Sequence, residues 1–505
     1  MSLIPTLSNP DFKPLLLSDA VFGLLTQAVE KEQVEAYLIG GFVRDALLNR
    51  PCKDLDIVCV GSGIKLAERF ASMLPGNPHV TVFKTYGTAM LHAGDWEVEF
   101  VGARKESYAA DSRKPAVETG TLQDDQNRRD FTINALGVSL NEKTLGKLID
   151  PFDGLGDLKR KLIRTPLAPA ETFSDDPLRI MRGLRFAAQL SFDIEPDTYE
   201  AMTEMRERLN IVSAERISDE LNKIIVSKVP SYGFKLLYFS KVLEVIFPEM
   251  VALAGAENKE GHTHKDNFFH TLEVLDNVAQ KSDDLWLRWA AILHDIAKPA
   301  TKRYVQGEGW TFHGHEDKGA KMVPRIFARF KLPLNEKMRF VQSLVKLHLR
   351  PIALVKNTVT DSAVRRIIFE AGDSLEALMI LCRADVTTKN PNKAKRFLEN
   401  FDNVDKKIKE VEESDRLRNF QPVLTGEHIM AAFGITPGRE IGIIKEQIRE
   451  AILEGEIKNN FSENYTLMVK LGKDLDMAVK LDEASLTAQF PPAEELPVPT
   501  EGKEA

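Results

Sequence analysis

Two aspartates one residue apart, in the stretch LIGGFVRDALLNRPCKDLDIV, pose the first chemical question, because Asp54 and Asp56 would repel unless a cation is expected between them. On a strand, residues i and i+2 share a face roughly 6.6 Å apart along the chain, so both carboxylates can reach one metal cluster. Magnesium favours hard oxygen ligands, commonly one or two protein carboxylates with substrate phosphates. Two such ions about 3.5–4 Å apart can activate a hydroxyl and steady a departing pyrophosphate. Just upstream, Gly40 and Gly41 let backbone amides approach an anion at a short helix start, and Arg44 offers phosphate a forked donor. In WEVEFVGAR, Glu97 and Glu99 share a strand face, and Glu99 is the preferred third carboxylate.

Further along, RRDFTINAL joins Arg129, a cation for phosphate, to Asp130, an acceptor for a ribose hydroxyl, with Asn134 one turn on if the stretch is helical. An RNA-type nucleotide is the expected ligand. Asp176 followed by Pro177 reads as a helix start, with Asp as the cap and Pro in the first turn. Arg179, Arg182 and Arg185 follow at helical spacing, and the last two are candidates for phosphate or base contacts. A second cluster lies between residues 262 and 385, where HTHKDNFFHTLEV, AAILHDIAK, FHGHEDKGA and KLHLR hold most of the ten histidines. Packing alone does not account for such clustering. Imidazole with carboxylate suits a divalent transition metal such as Mn, Ni, Co, Fe or Zn.

The ordered motifs GGFVRD, KDLDIV, RRDFTINAL, DPFDGLGDLKRKLIR, DDPLRIMRGLRFAAQL and SAERISDELNKII resemble those of the tRNA nucleotidyltransferase/poly(A) polymerase family over about residues 20 to 250. The resemblance implies a polymerase-β-like nucleotidyltransferase head. It also implies that Asp176 and Arg179 act as a protein template for the pairing edges of CTP and then ATP. Unmatched bases would be rejected because the template's polar groups would be left unpaired. The histidine-rich segment resembles the HD phosphohydrolase superfamily. By that match, His270, His294, Asp295 and Asp385 form a first metal site, and His315 and His348 extend it to a second. His262, His264 and His313 are unassigned.

The elements that must position these residues are legible as well. Up to about residue 140, VEAYLIGG, LDIVCV, VTVFKT, TAMLHA and WEVEFVG read as strands, with IKLAERFASML as a helix between the second and third. Beyond SDDPLRIMRGLRFAAQL the apolar period turns helical. Breaks are expected near 255 to 264 and 388 to 393. Periodicity gives an α/β head and a mostly α-helical remainder, and the resemblances imply that the head is a polymerase-β-like mixed sheet and that the remainder is a neck, an HD domain and a C-terminal arm. The expected boundaries are 18–165 for the head, 166–255 for the neck with its base-selecting helix, 256–390 for the HD domain, 391–480 for an RNA-gripping helical arm, and 481–505 for a disordered acidic tail.

Net charge is −8, which at first disfavours a nucleic-acid partner. From Asp482 onward, however, six acids face only Lys503, so the rest of the chain carries −3 and holds basic clusters such as KNPNKAKRF. Three cysteines without CxxC spacing argue against a disulfide framework and for a reducing compartment. No secretory leader or membrane span is read, so a cytoplasmic location is expected. The resulting expectation is a CCA-adding tRNA nucleotidyltransferase. It uses CTP and ATP, Mg2+ in the head and a transition metal in the HD domain. Alternatives are poly(A), CC-only or A-only addition, or an HD phosphohydrolase whose head only binds RNA.

Overall fold

The computed structural model describes residues 5–84, 87–107, 116–259, 262–263, 266–356, 360–388, 390–415 and 421–491. The chain divides into two compact units, residues 1–288 with 325–333, and residues 289–324 with 334–505.

The first unit opens with the expected sheet. Its strands are β1 (Glu35–Ile39), β2 (Asp54–Val60), β3 (Thr81–Phe83), β4 (Thr88–Ala93) and β5 (Trp96–Gly102), then a separate hairpin of β6 (Arg104–Ser107) and β7 (Ala116–Thr119), then β8 (Gly137–Ser139) and β9 (Leu148–Ile149). The seven-stranded order is β3-β4-β5-β2-β1-β8-β9. Only the β2–β5 pair within it is parallel, so the sheet is mixed as expected. Alternation along β2 and β5 sends Leu55, Ile57, Val98 and Phe100 into the core. The helix Gly63–Met73 is capped by Ser62 and buries Leu66, Ala67, Phe70 and Ala71 on one stripe. Phe70 meets Phe100 at a ring separation of 5.8 Å, and each buried aromatic of this kind stabilises the fold by roughly 1.5–3 kcal/mol.

Behind the head, the helices Pro169–Asp175, Leu178–Leu190 and Ala214–Ile225 form the neck region. A Cβ on Gly183 would overlap Met202 and the Phe131 ring, so glycine there lets the Leu178–Leu190 helix close onto the RRDF segment. The unit boundary falls inside the stretch expected as one HD domain. Arg288 gives the physical reason: its side chain is 1% exposed and donates to the carbonyls of Ile225 and Ser227, fastening residues up to 288 to the neck.

The second unit is helical apart from the small hairpin Arg303–Val305 with Gly309–Thr311. The expected break at TKNPNK is a helix start, where the Asn390 side chain accepts from the amides of Asn392 and Lys393 ahead of the long helix Pro391–Asp415. Part of the acidic tail departs from the expectation of disorder. Residues Glu483–Gln489 form a helix capped by Asp482, because Leu486 finds full burial there. The proline- and glutamate-rich remainder from 492 lies outside the described residues. Among the described residues, no helix is long and apolar enough to cross a membrane.

Candidate active site in the head and metal cluster in the helical unit

Strand pairing decides what the aspartate pair can do. Because β2 and β5 run parallel in register, Asp54 lies opposite Glu97 and Asp56 opposite Glu99, so four carboxylates share one face of two neighbouring strands. Burial pushes the Asp56 carboxyl above the usual aspartate range; Arg129 opposes this, and the charges of Asp54 and Asp125 add to it. Glu99 is likewise raised, first by burial and then by Asp56. Crowded oxygens of this kind are a donor set for a hard divalent cation, and Mg2+ fits them.

Gly40 ends β1 beside these acids at φ +78°, a conformation that favours glycine. A Cβ there would stand 2.9 Å from Nη1 of Arg129 and 3.4 Å from Oδ2 of Asp56. The missing side chain therefore leaves a cradle between a cation and a carboxylate. Gly41 begins the helix Gly41–Leu47. Arg44, on that helix, is 9% exposed and directs its donors inward, to both oxygens of Asp45 and to Oδ1 of Asn134 at 2.7 Å. In this arrangement it braces Asn134 rather than offering phosphate a free fork.

The RRDFTINAL segment holds a short 3-10 turn at Thr132–Asn134, and Asn134 donates to Asp130 at 3.0 Å. Asp130 also accepts from the Phe131 amide and twice from Arg182 at 2.7 Å, so the neck helix grips the head through this carboxylate. Arg182, Asn134 and Arg179 hold its pKa down at about 2 against the effect of burial. Arg185 pairs with Glu220 and lies 3.8 Å over the Phe186 ring, which Arg44 also approaches at 4.9 Å. Arg179 is 8% exposed and donates to the backbone carbonyls of Thr172 and Arg128. Asp176 caps the Leu178 amide with one oxygen and faces Arg216 at 3.7 Å with the other. The expected N-cap position shifts by one residue: Pro177 is the N-cap of Leu178–Leu190 and Asp176 ends the preceding helix, its carboxylate still reaching the Leu178 amide. Motif reading missed Asp125, a fully buried acid paired with Arg128 and Arg129. The signal was available: two adjacent arginines following an acid at i+3 and i+4 on one helical turn.

In the second unit, the candidate ligands lie at helix ends. His294 and Asp295 follow the helix Leu285–Leu293, His315 opens His315–Arg329, and His348 and Asp385 cap the C-termini of Glu336–Leu347 and Leu375–Ala384. Nδ1 of His294, His315 and His348 meets the carbonyl of Ala291, Phe312 and Val345 at 2.8, 2.8 and 2.7 Å. An acceptor opposite Nδ1 requires the proton there and leaves Nε2 as the ligand atom. Those Nε2 atoms converge on Asp295, with His294 3.2 Å from Oδ2, and His315 and His348 3.3 and 3.9 Å from Oδ1. Asp385 stands 3.8 Å from His294, and Lys298 2.6 Å from Oδ2 of Asp295.

Asp295, His315 and His348 could together hold one ion, and nitrogen with carboxylate oxygen fits a divalent transition metal. Burial, reinforced by His294, pushes His348 down to about 4, which keeps it a neutral ligand. Burial alone would raise Asp295, but His294 and Lys298 hold it well below the usual range. His270 is buried on the helix Asn267–Ala279 of the first unit. His313 is exposed, and His264 lies outside the described residues.

Residues 36–164 match the poly A polymerase head domain, 191–253 the probable RNA and SrmB-binding site of polymerase A, and 267–390 the HD domain. An A-adding tRNA nucleotidyltransferase from Deinococcus radiodurans is 30% identical over 433 residues, covering 84% of this chain and 92% of the relative. A multifunctional CCA protein from Nitrosococcus oceani is 33% identical over 372 residues, covering 70% of this chain and 84% of the relative. In fold, the Thermotoga maritima CCA-adding enzyme complexed with tRNA superposes with a TM-score of 0.58 at 24% identity, covering 92% of this chain and 98% of that one. With motifs, site geometry, relatives and fold in agreement, the chain belongs to the tRNA nucleotidyltransferase/poly(A) polymerase family.

Proposed function

We propose that this enzyme adds C, C and A to the 3′ end of tRNA from CTP and ATP, releasing pyrophosphate at each step. The observation that carries the reading is the in-register pairing of Asp54 with Glu97 and Asp56 with Glu99 beside the Gly40 cradle and Arg129. Asp54 and Asp56, with Glu99 as third acid, would hold Mg2+, which when bound neutralises phosphate charge and polarises the attacking hydroxyl. Arg129 contacts the triphosphate across the Gly40 gap. Asn134, engaged by Arg44 and Asp130, ties the nucleotide motif to the glycine-pair helix. Asp176 and Arg179 select the base; Arg179 must first leave its two backbone carbonyls, which makes base recognition a conformational step. Placement and charge compensation supply most of the rate.

The proposed division of the chain keeps the head at 18–165, the neck at 166–255, the HD domain at 256–390, the arm at 391–480 and the tail from 481. Exposed Lys393, Lys395, Arg396 and Lys406 support phosphate contact by the arm. In the HD domain we assign His294, Asp295, His315, His348 and Asp385 to phosphate-ester hydrolysis, with His270 added on motif order alone and Lys298 as the cation for a phosphoryl oxygen. Free thiols at Cys52, Cys59 and Cys382 support a reducing, cytoplasmic setting.

The test is a tRNA lacking its last three nucleotides, incubated with CTP, ATP and both. Ordered CCA addition is expected, and endless A-addition without CTP would overturn the proposal. A second reading has its own support, because the Deinococcus relative that aligns over 84% of this chain is named A-adding. Extension of only those tRNAs that already end in CC would establish that reading instead.

A further inference from the structure

Asp125 is a buried acid whose use no motif explains. Its side chain is fully buried, yet it faces two arginines, with Arg129 Nε at 3.0 Å from Oδ2 and Arg128 Nη2 on Oδ1. Leaving water is costly for a carboxylate, and two guanidinium partners offset that cost. They also hold Asp125 below the usual range against its burial, so it stays ionised. The consequence lies at the other end of Arg129. Its Nη1 and Oδ2 of Asp56 lie 2.9 and 3.4 Å from the point where a Cβ on Gly40 would stand. A free guanidinium at that place would close on Asp56 and compete with a divalent cation for the same oxygens. Held through Nε by Asp125, Arg129 instead keeps Nη1 facing the cradle where a triphosphate oxygen would lie.

We propose that Asp125 is a positioning residue that clamps Arg129, keeping it available to the triphosphate and off the carboxylate that takes Mg2+. This rests on the head reading above. The clamp also touches base selection, because the carbonyl of Arg128, the other partner of Asp125, accepts from Arg179. Three variants separate the clamp from a structural role. Asp125→Asn removes the anion and nearly preserves shape. Arg129→Lys keeps a cation but loses the Nε contact that holds it to Asp125. Arg129→Gln removes the competing charge altogether.

Equilibrium binding of CTP by the full chain, without tRNA, is measured over a Mg2+ titration. Asp125→Asn and Arg129→Lys should both raise the Mg2+ concentration for half-maximal CTP binding by about 10-fold, the lower end of what changes just outside a metal's own ligands produce. Arg129→Gln should weaken CTP binding at saturating Mg2+ while leaving the Mg2+ midpoint within about twofold of the parent. An unchanged Mg2+ midpoint in Arg129→Lys overturns the proposal, even should Asp125→Asn fail to fold. So does an equal rise in Arg129→Gln. Absence of Mg2+-dependent CTP binding in the parent would strike the head reading instead, which keeps the two failures distinct.

Discussion

In the head, four acids crowd one face of two strands, all oxygen donors, with an arginine alongside; in the helical unit, three imidazoles surround one buried acid at helix ends. The first arrangement is costly by itself, since burial, with like charges adding to it, raises Asp56 and Glu99, and a hard cation would relieve the crowding. The second is set in advance. Backbone carbonyls fix each histidine tautomer, and burial keeps His348 uncharged down to about pH 4. A strand end of oxygen donors suits a nucleoside triphosphate that arrives with bound magnesium. A buried nitrogen-rich cluster suits a resident metal and a small phosphate ester.

The sharpest way to break this contrast is to remove one acid from each cluster. Asp54→Ala should lower nucleotide addition to truncated tRNA by at least ~100–1000-fold, as loss of a group stabilising transition-state charge does, and leave hydrolysis of 2′,3′-cyclic phosphates intact. Asp295→Ala should do the reverse and release bound transition metal, which elemental analysis of the purified chain would register. Next in size is the neck–head ion pair. Arg182→Ala removes two donors from the buried Asp130 and should cost about 1.5–3 kcal/mol in denaturant unfolding.

The same pair sets a pH dependence. The folded pKa of Asp130, about 2, lies below the ordinary aspartate value of about 3.9. Its contribution, on the order of 2 kcal/mol, is therefore complete above about pH 4 and lost as pH falls toward 2. Acid titration of stability should lose this component in Arg182→Ala. The smallest effect concerns selectivity. Asp176→Ala should relax discrimination against UTP by about 10–100-fold in kcat/KM, with little change in the Mg2+ requirement.

Much of the head was legible because its signals are local. Alternation placed β1 to β5 and the helix Gly63–Met73, and the one-residue spacing put Asp54 and Asp56 on a common face. Arg44 shows where such reading stops: an arginine three residues past a glycine pair looks like a phosphate donor, but folding brings Asn134 within 2.7 Å and engages it. Asp125 was overlooked for the converse reason, since a polar residue among polar residues gives no sign of burial. The tail helix at Glu483–Gln489 depends on a single apolar contact at Leu486, too sparse for periodicity to detect.

What the amino-acid order settled by itself was the inventory of donors and their local geometry, because strand and helix periods are properties of a few consecutive residues. Which donors meet was a matter for tertiary structure alone. The parallel register that sets Glu99 beside Asp56 and the helix packing that brings His315 and His348 onto Asp295 each join chain segments whose pairing no local period encodes, and the burial of Asp125 is likewise invisible in its own turn. Burial then sets their charge, because the cost of ionisation depends on the surrounding medium and neighbouring charges rather than on the residue type.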